Sequence, residues 1–196
     1  MDIAVRNLYK SYGEKQVFTD FNAVFEEGSA TALMGESGCG KTTLLRILTG
    51  LETADEGTLL GLENARISAV FQEDRLCEEF SAFSNVKLAC PPGVDSGVIK
   101  EHLEAVGLGE SIDLPVSRLS GGMKRRVAIV RAVLVPKTLL LLDEPFSGLD
   151  KQNKRLLAEH IKLRCAGITL VVVTHDREEA QLLGAKIIKM HTNEGN

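Results

Sequence analysis

The chain reads as an α/β fold: a mostly parallel sheet, a small antiparallel β subdomain on its N-terminal side, and a helical subdomain inserted in the core. Three observations predict it. Two apolar runs, 138–143 and 168–174, are continuous rather than alternating, as parallel strands buried on both faces require. The stretch GESGCGKT at 35–42 sits between the apolar run 30–34 and the leucine-striped segment 43–49, which is a strand–loop–helix order. The 196 residues are 44% hydrophobic and 26% charged, enough for one well-buried core, and no linker, repeat or low-complexity tract divides them. One domain over 1–196 is therefore expected.

Taken in order, residues 3–8, 17–18 and 21–25 read as short strands punctuated by Gly13 and Gly28. After the glycine-rich stretch, a helix carries Leu44, Leu45, Leu48 and Leu51 on one stripe, with Gly50 as its natural stop. Residues 58–60 and 67–71 read as a weaker hairpin. From Arg75 to about Pro136 the pattern turns helical and more charged, broken at Pro91-Pro92-Gly93 and resuming at 98–106, and this is the helical subdomain. Within it Met123, Val127, Val130 and Leu134 recur at helical spacing, so a helix begins near Gly121 or Gly122, stops before Pro136 and takes Ser120 as its N-cap. Lys124, Arg125 and Arg126 read as its basic outer face. A helical stretch over 151–164 separates the two apolar strands.

A formal charge of −4 argues against broad nucleic-acid binding, which rests on many cationic contacts to phosphate. Cys39, Cys77, Cys90 and Cys165 are irregularly spaced with no Cys-x-x-Cys pair, which suggests neither zinc nor a disulfide framework and points to a reducing, cytosolic location. The N-terminus lacks the basic-then-apolar layout of a secretory signal. The best apolar window, 128–142, is interrupted by Arg131, Pro136 and Lys137, so no membrane span is expected.

The loop at 35–42 carries the chemistry. Gly35, Gly38 and Gly40 allow the backbone to curl so that the N–H groups from Glu36, Ser37 and Cys39 through Thr43 face one centre, at the positive end of the following helix. Lys41 adds a full charge and Thr42 a hydroxyl for Mg²⁺, which together imply a nucleoside triphosphate site. A dinucleotide fingerprint fails because Thr43 stands where its third glycine belongs, and a kinase glycine loop lacks its catalytic-loop partner. Cys39, inside the loop, is expected to react with thiol reagents and block nucleotide.

Three other strands end in useful polar groups at the same edge of such a sheet: Gln72, Asp143-Glu144 and His175. Asp143 suits Mg²⁺ opposite Thr42, Glu144 can orient or deprotonate a water, and His175 can contact the γ-phosphate. Ser120-Gly121-Gly122 at a helix start form a second anion-binding end.

Taken together these residues resemble the ATP-binding subunit of an ABC (ATP-binding cassette) transporter, a P-loop nucleoside triphosphatase, over nearly the whole chain. GESGCGKT resembles the Walker A motif, Gln72 the Q-loop, LSGGM at 119–123 the signature, LLLLDE at 139–144 Walker B, SGLD at 147–150 the D-loop and His175 the switch histidine. The resemblance implies that Tyr12 stacks on adenine, that Gln72 joins Thr42 and Asp143 at Mg²⁺, and that Asp150 belongs to the ATP-binding set. It implies a head-to-tail dimer in which Ser120, Gly121 and Gly122 of one copy close over ATP held by Lys41 and Thr42 of the other. It further implies integral membrane permease subunits received by the helical subdomain, an extracytoplasmic solute-binding protein indirectly, and a peripheral place on the cytoplasmic face of the membrane. Met123 departs from the usual signature glutamine and Gly148 from the commoner alanine. With Met123, the heptad at 70–76 resembles the nitrate, sulfonate and taurine importers. A soluble ABC-type ATPase acting on ribosomes or DNA, and an exporter ATPase, are the alternatives, and the short segment after His175 suggests no C-terminal regulatory domain.

Overall fold

The N-terminal strands run further than their apolar cores suggest. In the computed structural model, which describes residues 1–191, β1 (Ile3–Tyr12) pairs antiparallel with β2 (Lys15–Phe25). The two short strands expected at 17–18 and 21–25 are one strand. The polar interruption between them is a bulge, where Asp20 adopts φ 52° and its carboxylate accepts from the Asn7 amide at 2.6 Å. Continuing past Leu8, β1 carries Tyr12 to the edge where the glycine-rich loop lies.

After β3 (Ala30–Met34), the loop leads into α1 (Lys41–Leu48), which buries Leu44, Leu45, Ile47 and Leu48. Gly50 ends the helix at φ 72°: its N–H donates to Ile47 O and the Leu51 N–H to Arg46 O. This reversal throws Leu51 off the predicted stripe and leaves it 62% exposed.

The expected hairpin at 58–60 and 67–71 does not form. Its first half becomes β4 (Glu56–Leu60), antiparallel to β1, and its second becomes β5 (Ile67–Val70), parallel to β6 (Leu139–Asp143). Sequence adjacency suggested pairing, but each half fits a different layer. Four of the five β4 residues face solvent beside β1, whereas Ser68 and Val70 of β5 are buried, the serine hydroxyl donating to Ala132 O.

Adding β7 (Thr169–Val173) and β8 (Lys186–Lys189) completes a five-stranded sheet in the order β5-β6-β7-β3-β8, with every pair parallel. Every residue of β6 and β7 is buried, as their unbroken hydrophobicity predicts. Alternate leucines of β6 serve opposite faces. Leu139 and Leu141 pack with Leu44, Leu45 and the antiparallel sheet's Leu8 and Phe25, while Leu140 and Leu142 pack with the helical layer.

That layer comprises α2 (Ala82–Lys87), α3 (Ser96–Ala105) and α4 (Gly121–Leu134), with the break at Pro91-Pro92-Gly93 falling between the first two. Val86, Ile99, Leu103, Val127 and Val130 share one apolar cluster with Leu140, Leu142 and Val172, so the inserted helices are continuous with the main core. Helix α5 (Lys151–Arg164) and the short α6 (Arg177–Leu182) follow β6 and β7. Among the described residues no helix is long and apolar enough to cross a membrane. Residues 192–196 of the expected domain lie outside the described residues.

Helices α3 and α5 meet through two buried histidines, His102 Nδ1 lying 3.1 Å from His160 Nε2. Burial, then the neighbouring His102 and Arg164, push His160 down to about 4; burial and Arg164 also lower His102, against the opposing pull of Glu101, while Lys137 adds to the lowering. A depressed basic group stabilises the fold above its unfolded pKa, and that stabilisation is lost as the pH falls toward its folded pKa. Between pH ~6.5 and ~4, His160 is therefore expected to cost the fold about 3 kcal/mol. Urea unfolding across that window should show a shallower acid slope in His160→Gln than in the parent, and equal slopes would refute the pair as the cause.

Candidate functional site

Because the main sheet is parallel, β3, β5, β6 and β7 deliver their carboxyl ends to one edge, where a cleft of about 390 Å³ opens. Tyr12, Lys15 and the loop line one side of it. Gln72, Asp143, Glu144 and His175 line the other. The cleft thus brings together residues that the sequence reading takes from five separate segments, and it also takes in Lys15, an exposed residue whose position follows from the β1–β2 turn and carries no local signal.

Two glycines of the loop are required for different physical reasons. Gly40 sits at φ 97°, and a Cβ there would lie 2.6 Å from Val17 Cγ1. Gly35 has ordinary dihedral freedom, but a Cβ would come within 2.3 Å of Met190 O, just past the end of β8. Helix α1 starts at Lys41 with Gly40 as its cap and no side-chain cap bond, which leaves its first N–H groups free of a side-chain acceptor. The ammonium of Lys41 donates to Gly35 O at 2.8 Å and Glu36 O at 2.7 Å, arching across the loop it serves. Glu36 is itself exposed, and it contributes its carbonyl to this arrangement.

Cys39 departs from expectation. Its thiol turns into the core beneath the loop and is only 2% exposed, because the small residue at this position fills the space under Gly35. A thiol reagent does not reach it from the cleft.

The Thr42 hydroxyl donates to Asp143 Oδ2 at 2.7 Å. Asp143 is fully buried; burial raises its pKa, the Thr42 hydrogen bond opposes the rise, Glu144 adds to it, and Arg125 and Lys41 pull the other way. Its Oδ1 has no hydrogen-bond partner among the described residues. Glu144 follows at φ 48°, left-handed for a residue with a side chain, and its N–H donates to Val173 O at 2.9 Å. His175 Nδ1 lies 3.6 Å from Glu144 Oε1, with the imidazole 76% exposed at the rim. The turn that presents it is held from below: the Thr174 hydroxyl donates to the buried Glu179, and Lys154 pairs with the same carboxylate at 2.6 Å.

Ser120, Gly121, Gly122 and Asp150 do not enter this cleft. Ser120 caps α4 as expected, accepting from the Met123 N–H at 3.3 Å, and remains exposed. Gly121 and Gly122 line a second groove of about 380 Å³ that Gln72 and Glu144 also line. Asp150 caps α5 by accepting from the Asn153 backbone and side-chain amides, and those hydrogen bonds hold its carboxylate below the ordinary range.

The basic outer face expected on α4 is largely absent. Lys124 does face outward and pairs with Glu78, but Arg125 and Arg126 are buried at 5% and 7% exposure. Arg126 donates to Val106 O at 2.7 Å and to Asn153 Oδ1 at 2.8 Å, which ties α4 to α5 beside Asp150. Arg125 turns the other way, to the backbone at Phe71 and Asp143. Both cations are repaid by backbone carbonyls brought from distant segments, and a charge pattern on one helix contains no sign of those.

A family model described as ABC transporter matches residues 18–147, about two thirds of the chain. The chain belongs to the ABC transporter family. The family match includes the loop, Gln72, Ser120 to Gly122, Asp143 and Glu144, whereas Tyr12, Asp150 and His175 lie beyond it. Curated relatives in the ABC transporter family include the spermidine/putrescine import ATP-binding protein PotA of Haemophilus influenzae, 36% identical over 95% of this chain and 54% of that protein. The bicarbonate transport ATP-binding protein CmpC of Synechococcus elongatus is 36% identical over 99% of this chain and 32% of its own length. The sulfate/thiosulfate import ATP-binding protein CysA of Acinetobacter baylyi is 39% identical over 100% of this chain and 61% of its own length. The chain thus spans between a third and three fifths of the length of these relatives.

Proposed function

We propose that this chain is an ATPase of the ABC transporter family, a single domain that powers solute import from the cytoplasmic face of a membrane. The observation that carries the reading is the Thr42–Asp143 hydrogen bond at the foot of the phosphate loop, with Glu144 and His175 on the same cleft. Lys41, whose acceptors are two loop carbonyls and the Cys39 sulfur, can turn its charge to the terminal phosphates. Tyr12, 46% exposed on the cleft wall, offers its ring to adenine.

The residues fit Mg²⁺. The unpartnered Oδ1 of Asp143, the Thr42 hydroxyl and the Gln72 amide carbonyl are hard oxygen donors gathered at one place. When bound, Mg²⁺ neutralises charge on the β- and γ-phosphates. Glu144 accepts the proton of the attacking water, and its neighbour His175 holds the γ-phosphate side of the cleft in register. Ser120, Gly121 and Gly122 do not line their own chain's cleft, which supports a head-to-tail dimer in which they close over ATP on a second copy.

The names of the three relatives, ATP-binding proteins of import or transport, support association with integral membrane permease subunits, and through them with an extracytoplasmic solute-binding protein. The helical subdomain over 75–136, whose Phe80 and Leu88 are exposed, is the face that would meet a permease. The three names specify different solutes at 36%, 36% and 39% identity to this chain, so selectivity is assigned to the other subunits. A tagged chain expressed in its native host should copurify from detergent-solubilised membranes with an integral membrane protein, and uptake of one solute should fail in a deletion strain. Recovery with ribosomes, or ATPase activity stimulated by nucleic acid alone, would sink the transport reading in favour of a soluble ABC-type ATPase. Loss of efflux instead of uptake would make it an exporter.

A further inference from the structure

We infer that Arg125 is a positioning residue that fastens the peptides entering Gln72 and Glu144 to the helix whose start carries Ser120, Gly121 and Gly122. The inference rests on the ATPase reading above, since it concerns how the hydrolytic groups are held. Arg125 is 5% exposed, one turn into α4. Its Nη1 donates to Phe71 O at 2.5 Å and to Asp74 Oδ1 at 3.0 Å, while Nη2 donates to Asp143 O. The first carbonyl belongs to the peptide that leads into Gln72. The other belongs to the peptide that leads into Glu144. One planar fork therefore sets the origin of both side chains.

Three features argue that the fork is placed for this purpose. Its Nε is buried without a partner among the described residues, so the side chain forgoes one of its own hydrogen bonds in the pose that brings Nη1 and Nη2 to the two carbonyls. The peptide it grips at Asp143 precedes a left-handed Glu144 at φ 48°, a strained conformation that persists only where neighbours impose it. The Gln72 side of the grip is doubled, because Arg131 on the same helix donates to Asp74 O and Arg75 O, both at 2.8 Å. A rotation of α4 at its Ser120 end thus carries the 71–75 segment with it and moves the 143–144 peptide through the same guanidinium. Lysine cannot do this, because a single ammonium does not span two fixed carbonyls and a carboxylate in one plane.

The test compares the parent chain with Arg125→Lys, which keeps the buried charge facing Asp74, and with Asp74→Asn, which frees the fork from its ion pair. For Arg125→Lys, kcat for ATP should fall at least about 10-fold while KM stays within about twofold, as for misplaced rather than missing groups. Amide hydrogen exchange without nucleotide should accelerate about 10-fold at 72–74 and 144 and stay unchanged in β3 and β7. Asp74→Asn should move the same amides in the same direction by less. Unchanged kcat and exchange would overturn the inference. So would a joint change of kcat and KM with exchange accelerated throughout β3 and β7, which marks general loosening. The exchange measurement needs no ATP. A parent without ATPase activity whose Lys variant still loosens those amides locally fails the ATPase reading and supports the tether; an active parent with an unresponsive variant fails the tether alone.

Discussion

Glu144→Gln should lower kcat for ATP by about 10²- to 10⁴-fold, the range spanned by loss of a positioned general base, while ATP affinity stays close to that of the parent. The substitution is nearly isosteric and leaves the backbone undisturbed. The 144 peptide is held by the hydrogen bond from its N–H to Val173 O at 2.9 Å and by Arg125 on the preceding carbonyl, neither of which involves the carboxylate. What changes is the capacity to take a proton at a point 3.6 Å from His175. Lys41, Thr42 and Tyr12, which hold the nucleotide in the proposed reading, are untouched. With binding intact and turnover blocked, the variant should accumulate as an ATP-bound dimer, visible as a shift in size-exclusion elution that requires ATP. A variant with the parent's full turnover would remove Glu144 from its role, whatever became of the dimer.

The phosphate loop and the polar strand ends were legible because their signals are local. GESGCGKT owes its meaning to glycines that the backbone itself demands, as the 97° φ of Gly40 shows, and the leucines of β6 are continuous because both faces of that strand are covered. Ser120 was legible as a cap for the same reason: its acceptor role concerns the N–H of Met123 three residues on. What escaped was the non-local. The 58–60 and 67–71 segments look like neighbours in a hairpin, and only the choice of partner sheet separates them. Arg125 and Arg126 look like solvated charge on a helix, and only carbonyls from segments 54 and 20 residues away reveal them as internal ties. Cys39 reads as part of a ligand cradle from its place in the glycine-rich loop, while its side chain packs in the core.

Gly121→Glu should leave the fold intact and abolish turnover, and it separates the dimer from every intrachain explanation. A Cβ at Gly121 meets no atom within 4 Å, and the residue lacks the left-handed φ that would require glycine. As the first residue of α4 it is also a favourable place for a carboxylate, at the positive end of the helix. Among the described residues, then, nothing meets a Cβ at this position. Gly122 differs: a Cβ there would lie 2.9 Å from Leu149 Cδ2 and 3.1 Å from Gly148 O, so its replacement disturbs the chain itself. If the Ser120 to Gly122 end closes over ATP held by a second copy, a carboxylate at 121 fills the space meant for phosphate and repels it. The midpoint of thermal unfolding should stay within a few degrees of the parent's, single-chain ATP binding should persist, and ATPase activity should fall at least about 100-fold, the scale of losing contacts made to developing charge on phosphate. In the Glu144→Gln background the same change should also remove the ATP-dependent dimer. Turnover at the parent's rate in a correctly folded Gly121→Glu chain would mean that no second copy approaches this helix end, and the composite site would have to be abandoned even with the single-chain phosphate loop intact.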